Sequence, residues 1–288
     1  MEAVFIALDI GGTKLIVAAA DENGTILRRE RATTPLHLDE GLRLLDRMIE
    51  TVAGGGPVLG IGAAAGGPLD WRTGVVSPLH QPEWRNIPLK RMMEEKWRCR
   101  FSVDVDTNVA ALAEYEHSKE GAKRLLYLTV STGMGGGFVI DGEIYRGMDG
   151  GHPEAGHQTI DYRCPEGSRP IACSCGASSC LEALISGNGI RKIYGKPAPQ
   201  LTSEEWREVG WNLGQGLRNL AVIYLPDIIV LGGGVVFGAR EKLLGPAVAV
   251  MGEHLKIVPH PRVLCSSLGE ENVLKGAILL SIRARNSP

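Results

Sequence analysis

The sequence predicts an α/β fold built as two domains from a duplicated unit, and three observations lead there. The stretch FIALDIGGTKLIVAAADENGT from residue 5 is matched by YLTVSTGMGGGFVIDGE at residues 127–143, each placing apolar runs on either side of a glycine turn. Beyond each copy the apolar spacing turns from runs of strand length to the three- and four-residue steps of amphipathic helices. At 288 residues the chain is long enough for two ordinary cores, which favours two domains around a central cleft.

The elements follow in order. Val4 to Ile10 is an apolar strand, Gly11-Gly12-Thr13 a turn, Leu15 to Ala20 a second strand, DENG another turn, and Thr25 to Arg29 a third strand. This is a meander with no helix after the first turn. A dinucleotide fingerprint needs its glycine turn to open a helix, so that reading is excluded. Leu38, Leu42, Leu45, Ile49 and Val52 mark a helix, VLGIGAAAG a strand and loop, and FSVDV a strand running into a helix from Val109 to Lys119. The second copy reads as a strand Leu125 to Val130, a turn STGMGGG, a strand Phe138 to Ile140, a turn DGE and a strand Ile144 to Arg146. Glu204 to Leu225 is a long helix, DIIVLGGG a buried strand ending in glycines, and Val273 to Ile282 a closing helix. The repeat places the domain boundary at 118/119: residues 1–118 form the smaller domain, joined by the C-terminal helix 273–288, and 119–272 the larger one.

Composition excludes several classes of function. The net charge is -2 with both signs mixed along the chain, so there is no basic surface for nucleic acid. No apolar run approaches the ~18 residues of a membrane span, and a strand pattern begins almost at Met1, which leaves no signal peptide. The expected location is the cytoplasm and the expected partner a small molecule. Six cysteines would be reduced there, so a cluster such as CSC....C reads as a metal site before a disulfide. Cys99 and Cys265 read as core.

Four sets of residues carry chemistry. Glycines in a hairpin turn allow positive φ and let main-chain N–H groups approach an anion, so each copy either holds part of a polyphosphate or is an ordinary tight hairpin. Asp9, at the end of a strand beside Gly11 and Gly12, is placed to hold Mg2+ through water or to cap its turn. Asp106, between a strand and a helix, is either a carboxylate that orients a nucleophile or an N-cap. Cys173, Cys175 and Cys180, with His157 sixteen residues before the first, make a Cys3His set suited to tetrahedral Zn2+. Four protein ligands leave no open position, so such a zinc is structural. Cys164 matches no ligand position.

In their order along the chain, LDIGGTK, AAAGGPLD, STGMGGG, GHPEAGH, CSCGASSCLE and VLGGGV resemble the motifs of the ROK family of sugar kinases and sugar-responsive repressors. The resemblance implies the duplicated actin-like ATPase fold, related to ribonuclease H. It also implies ATP and Mg2+ as cofactors, with Asp9, Gly11, Gly12, Thr13 and Lys14 forming the first phosphate loop, Thr132 and Gly133 the second, and Gly232, Gly233 and Gly234 the adenosine loop. Gly67 and Pro68 then belong to the loop that closes over the sugar, Glu154, His157 and Glu182 contact its hydroxyls, and Asp106 is the catalytic base. The implied reaction transfers the γ-phosphoryl group of ATP to a hydroxyl, the 6-OH, of a sugar in the glucose, mannose, fructose or N-acetylmannosamine class. A homodimer is the habit of relatives. The alternative within the family is a sugar-responsive regulator, but repressors carry a helix-turn-helix ahead of the phosphate loop, which here begins at residue 9. A non-catalytic sugar-binding protein is a weaker alternative, because Asp9 and Asp106 are both present. Two positions depart from the family pattern: Val105 stands where many relatives have Asn, and His152-Pro153 replaces the commoner wording and looks like fructokinase-type members.

Overall fold

The computed structural model describes residues 2–118, 121–168 and 171–286, and the chain divides into two compact units. The first comprises Met1–Ala113, Met148–Gly150 and Glu271–Pro288, and the second Glu114–Gly147 with Gly151–Glu270.

The first unit begins with β1 (Val4–Ile10), β2 (Lys14–Ala20) and β3 (Ile26–Thr33), followed by α1 (Leu38–Ala53) and β4 (Val58–Ala65). A small antiparallel sheet of β5 (Leu69–Asp70), β6 (Val75–Val76) and β7 (Ile87–Pro88) leads to α2 (Leu89–Trp97), β8 (Arg100–Val105) and α3 (Asp106–Ser118). The main sheet has the order β3-β2-β1-β4-β8, with β1 antiparallel to β2 and parallel to β4. Every residue of the central strand β1 is buried except Asp9, which sits one residue from its carboxyl end. Leu45, Met48, Ile49 and Val52 of α1 are buried in the same core, and the helix stops at Gly54, whose φ of 59° suits a left-handed cap.

The second unit repeats the plan with β9 (Arg124–Val130), β10 (Met134–Ile140) and β11 (Glu143–Ile144). Then come α4 (Leu181–Ile185), α5 (Gly187–Tyr194), α6 (Ser203–Tyr224), β12 (Ile228–Gly232), α7 (Gly234–Gly238), α8 (Arg240–His254) and β13 (Arg262–Cys265). Its sheet has the order β11-β10-β9-β12-β13, the same arrangement of three antiparallel strands followed by two parallel ones. Helix α6 starts at a capping box in which Thr202 and Glu205 bond each other's main chain. It buries Trp206, Val209, Leu213, Leu217 and Leu220.

The chain ends in α9 (Asn272–Asn286), which belongs to the first unit and packs on β1, β4 and β8. Glycine makes this packing possible. A Cβ at Gly62 would stand 1.9 Å from the carbonyl oxygen of Ala277, and one at Gly276 would stand 1.9 Å from that of Val109.

Several boundaries differ from the sequence expectation, each for a local reason. Gly135, Gly136 and Gly137 lie inside β10 and not in its turn, because the turn is only Ser131–Thr132–Gly133. Strand β3 runs from Ile26 to Thr33, four residues past the expected end at Arg29, because its charged residues lie on an exposed edge that pairs with β2 through the main chain. Strand β11 ends at Ile144, two residues short of Arg146. Helix α3 starts at Asp106, three residues before Val109, and Lys119 lies outside the described residues. The closing helix extends the expected Val273–Ile282 to Asn272–Asn286, and of the expected 273–288 the last two residues are outside the described range. Helix α8 was hidden by Pro246, which reads as a breaker but sits against Gly210 of α6, where a Cβ would meet its own Cβ at 2.9 Å. Gly62→Ala should lower unfolding stability by about 2–4 kcal/mol, because the added methyl meets rigid backbone. A denaturant midpoint unchanged from the parent would refute the close approach.

Candidate active site

In the first unit the turn between β1 and β2 is closed by hydrogen bonds from Gly11 N to Lys14 O (3.0 Å), Thr34 Oγ1 to Gly11 O (2.7 Å) and Thr34 N to Thr13 O (3.2 Å). Gly12 and Thr13 are left exposed at its tip, and Lys14 opens β2. A Cβ at Gly12 would come 2.9 Å from His80 Cβ, so the turn lies directly against the loop of residues 77–86. The same loop holds the segment of Gly67 and Pro68, through Leu79 N to Gly67 O (3.0 Å) and Ser77 N to Pro68 O (2.9 Å). Arg85 stiffens it by donating to the carbonyls of Pro78 (2.6 Å) and Gln81 (2.8 Å). Nothing in the sequence pattern singled out residues 77–86, since the loop acts through its main chain and through contacts distant in sequence.

Asp106 is exposed at the start of α3, where its Oδ1 accepts from Thr107 N at 2.7 Å. Asp104, two residues earlier, is buried and accepts from Val105 N and from Asn108 Nδ2, both at 2.8 Å, which ties the end of β8 to the first turn of α3. Gly67 faces Val105, whose Cγ2 would be 3.9 Å from a Cβ there. Asp9 is near enough to feel Asp106. Burial pushes its carboxyl up from 3.8 to about 6, Asp106 adds to the rise, and Lys14 opposes it. Gly12, Gly67 and Pro68 thus gather around one loop of this unit, with Val105, the neighbour of Asp106, beside Gly67.

In the second unit the turn between β9 and β10 is closed by Ser131 N to Gly133 O (2.8 Å). The start of α5 holds it from behind, with Gly187 N donating to Ser131 O (2.7 Å) and Asn188 N to Thr132 O (3.2 Å). Glu182 braces the other side: its Oε2 accepts from Met134 N at 2.7 Å and would stand 2.9 Å from a Cβ at Gly133. Beside the turn is a cavity of about 330 Å3 lined by Thr132, Asn188, Arg191, Trp206 and Gly234 among others. Gly234 is open to it, whereas Gly232 and Gly233 serve packing. A Cβ at Gly232 would meet the Tyr127 hydroxyl at 2.5 Å, and Gly233, with φ of 93°, lies against Val130 O. Asn188, Arg191 and Trp206 were not foreseen, because helical spacing alone marks them as ordinary helix positions.

His157, Cys173, Cys175 and Cys180 come together, with one ligand atom from each within 4.8 Å of the others. His157 Nδ1 is 3.7 Å from Cys173 Sγ and 3.8 Å from Cys180 Sγ. Bonds of about 2.3 Å to sulfur and 2.0 Å to nitrogen at tetrahedral angles require an edge of about 3.6 Å, so the set fits zinc. The thiols are positioned by a tight turn, with Cys173 N donating to Ala177 O and Gly176 N to Cys173 O, and by a bridge pairing Thr159 with Cys180. The imidazole comes from a single 3-10 turn, Ala155–His157, whose Gly156 would press a Cβ to 3.0 Å from Met134. Cys164 is not of the set and lies instead near the Tyr194 phenol. The other ring nitrogen of His157 faces Glu154, at 3.7 Å from Oε2, and His152 Nε2 is 3.5 Å from Glu154 Oε1.

Comparison with known proteins gives the family. A glucokinase of Halalkalibacterium halodurans is 30% identical, covering 90% of this chain and 87% of its own length. A fructokinase of Zymomonas mobilis is 28% identical over 98% of both chains. The crystal structure of a ROK family glucokinase from Streptomyces griseus in complex with glucose and AMPPNP superposes with a TM-score of 0.77 at 27% identity, over 97% of this chain and 99% of that one. The fold is therefore that of the actin-like ATPases. With the ROK family model matching residues 5–284, the chain belongs to the ROK family and is a sugar kinase.

Proposed function

We propose that the protein transfers the γ-phosphoryl group of ATP to the primary hydroxyl of a hexose or N-acylated hexosamine, with Asp106 accepting the proton of that hydroxyl. The observation that carries this reading is an exposed Asp106 carboxylate within electrostatic range of Asp9, whose own carboxyl is pushed up to about 6 by burial. Phosphoryl transfer has a loose transition state, so a carboxylate chiefly orients the nucleophile while nearby donors carry the charge. Asp9 would hold Mg2+ through water, and the metal would supply neutralisation of the phosphate oxygens. Main-chain and side-chain donors of Gly11, Gly12, Thr13 and Lys14, and of Thr132 and Gly133, bind those oxygens. The cavity beside Thr132 takes the nucleoside, with Gly234 at its wall and Gly232 and Gly233 shaping the strand end behind it.

Glu154 and His157 face sugar hydroxyls, as do the main chain of Gly67 and Pro68. Glu182 has a double part: its bond to Met134 N also sets the phosphate turn, so a sugar contact and the donor loop share one carboxylate. Zinc held by His157, Cys173, Cys175 and Cys180 would fix the 3-10 turn that carries Glu154 and His157, and would take no part in the reaction.

Incubation of the purified protein with MgATP and D-glucose, D-mannose, D-fructose or N-acetyl-D-mannosamine should release ADP with at least one of them. No ADP above the sugar-free rate with any sugar would sink the kinase mechanism and leave a regulator. Asp106→Asn should bind sugar nearly as the parent does but turn over two or more orders of magnitude more slowly; near-normal kcat would remove Asp106 from the mechanism. Removing zinc with a chelator, or Cys175→Ser, should lower the melting midpoint and raise the sugar KM, and metal analysis finding no zinc in fresh protein would overturn the site. For Asp9, the folded pKa lies above the unfolded one, so ionisation penalises the fold: the penalty is absent below 3.8, grows from there to about 6, and is full above it. Without divalent cations, Asp9→Asn should therefore be more stable than the parent by about 1–3 kcal/mol near pH 8. The gap should close toward pH 4. Equal stability at both pH values would show that Asp9 is not strained by its surroundings.

A further inference from the structure

The Glu154 carboxylate is flanked by imidazole on both sides. Its Oε1 is 3.5 Å from His152 Nε2 and its Oε2 is 3.7 Å from His157 Nε2. Both separations exceed a well-formed hydrogen bond. The carboxylate is 60% exposed, while the His152 and His157 side chains are 21% and 27% exposed. The result is an open cradle with an acceptor in the middle and a ring nitrogen at each end. Its parts are held from below. Buried Pro153 restricts the backbone between His152 and Glu154, and His157 N donates to Glu154 O at 2.9 Å. Because His157 Nδ1 faces the thiols, Nε2 is the nitrogen left for Glu154.

We infer that His152 is a specificity-determining contact of the sugar site, reading one of two neighbouring hydroxyls seated on Glu154. One hydroxyl donates to Oε1 and accepts from His152 Nε2, and the other donates to Oε2 and accepts from His157 Nε2. A hydroxyl lying over the open side of each carboxylate–imidazole pair can bond both atoms, because it donates and accepts at once. An anionic ligand would meet the Glu154 charge, and an apolar group would leave four polar atoms unpaired. The ligand chemistry of the cradle is thus a neutral vicinal diol. This rests on the proposed reading of Glu154 and His157 as sugar-facing residues.

The test is steady-state kinetics of the full-length, metal-replete protein on the best hexose of the panel and its singly deoxygenated analogues. His152→Ala should raise the KM for the hexose about five- to tenfold, with kcat, the ATP KM, the melting midpoint and metal content near parent values. His152→Gln, whose amide nitrogen occupies the place of Nε2, should recover most of the loss. One deoxy analogue, lacking the hydroxyl that His152 reads, should bind equally to parent and His152→Ala. An unchanged hexose KM in His152→Ala, or the same KM increase with every analogue, would overturn the inference. Glu154→Gln run alongside separates the two levels: if it leaves the hexose KM unchanged, the sugar-facing reading itself fails, and if it raises KM while His152→Ala does not, only the role of His152 is lost.

Discussion

The hydrogen bond from Met134 N to the Glu182 carboxylate is the contact on which the second unit's chemistry rests. It fastens the turn of Ser131, Thr132 and Gly133 to the first turn of α4, and Met134 is also the residue against which Gly156 presses the 3-10 turn of Glu154 and His157. The other Glu182 oxygen is 3.8 Å from Cys173 Sγ. The turn proposed to hold phosphate, the turn proposed to face the sugar and the thiol cluster thus converge on a few atoms. Glycine is required at 133 and 156 because backbone must approach a carboxylate in one case and another backbone in the other. Displacing any of these parts would shift the rest.

The first unit solves a different problem, which is to keep a carboxylate poorly solvated without losing the fold. Asp9 sits next to the end of a strand that is otherwise wholly buried, and its charge is opposed by burial and by Asp106 and favoured by Lys14. Such a site is under-stabilised alone and gains when a cation enters, so part of the binding energy of that cation goes to relieving the protein's own electrostatics. Rigidity comes from elsewhere. Asn108 clamps Asp104 behind Asp106, Arg85 clamps the loop over Gly12, and glycines at 62 and 276 let α9 lie on the sheet and on α3 at backbone contact. Fixed geometry near Asp106 suits the orienting task proposed for it.

What the sequence determined by itself is local. Apolar runs and glycine turns identify both hairpins and the order of strands and helices, since strand and helix periodicities depend on near neighbours only. Family motifs likewise single out Asp9, Asp106 and the Cys3His set as short strings, and the side chains of His157, Cys173, Cys175 and Cys180 do meet. Tertiary structure alone decided which glycines lie open and which serve packing, that Glu182 braces the turn of Ser131, Thr132 and Gly133, that residues 77–86 bind both loops of the first unit, and that His152 stands beside Glu154. These facts depend on which distant segments the fold presses together, and on distances of a few ångströms that no spacing along the chain records.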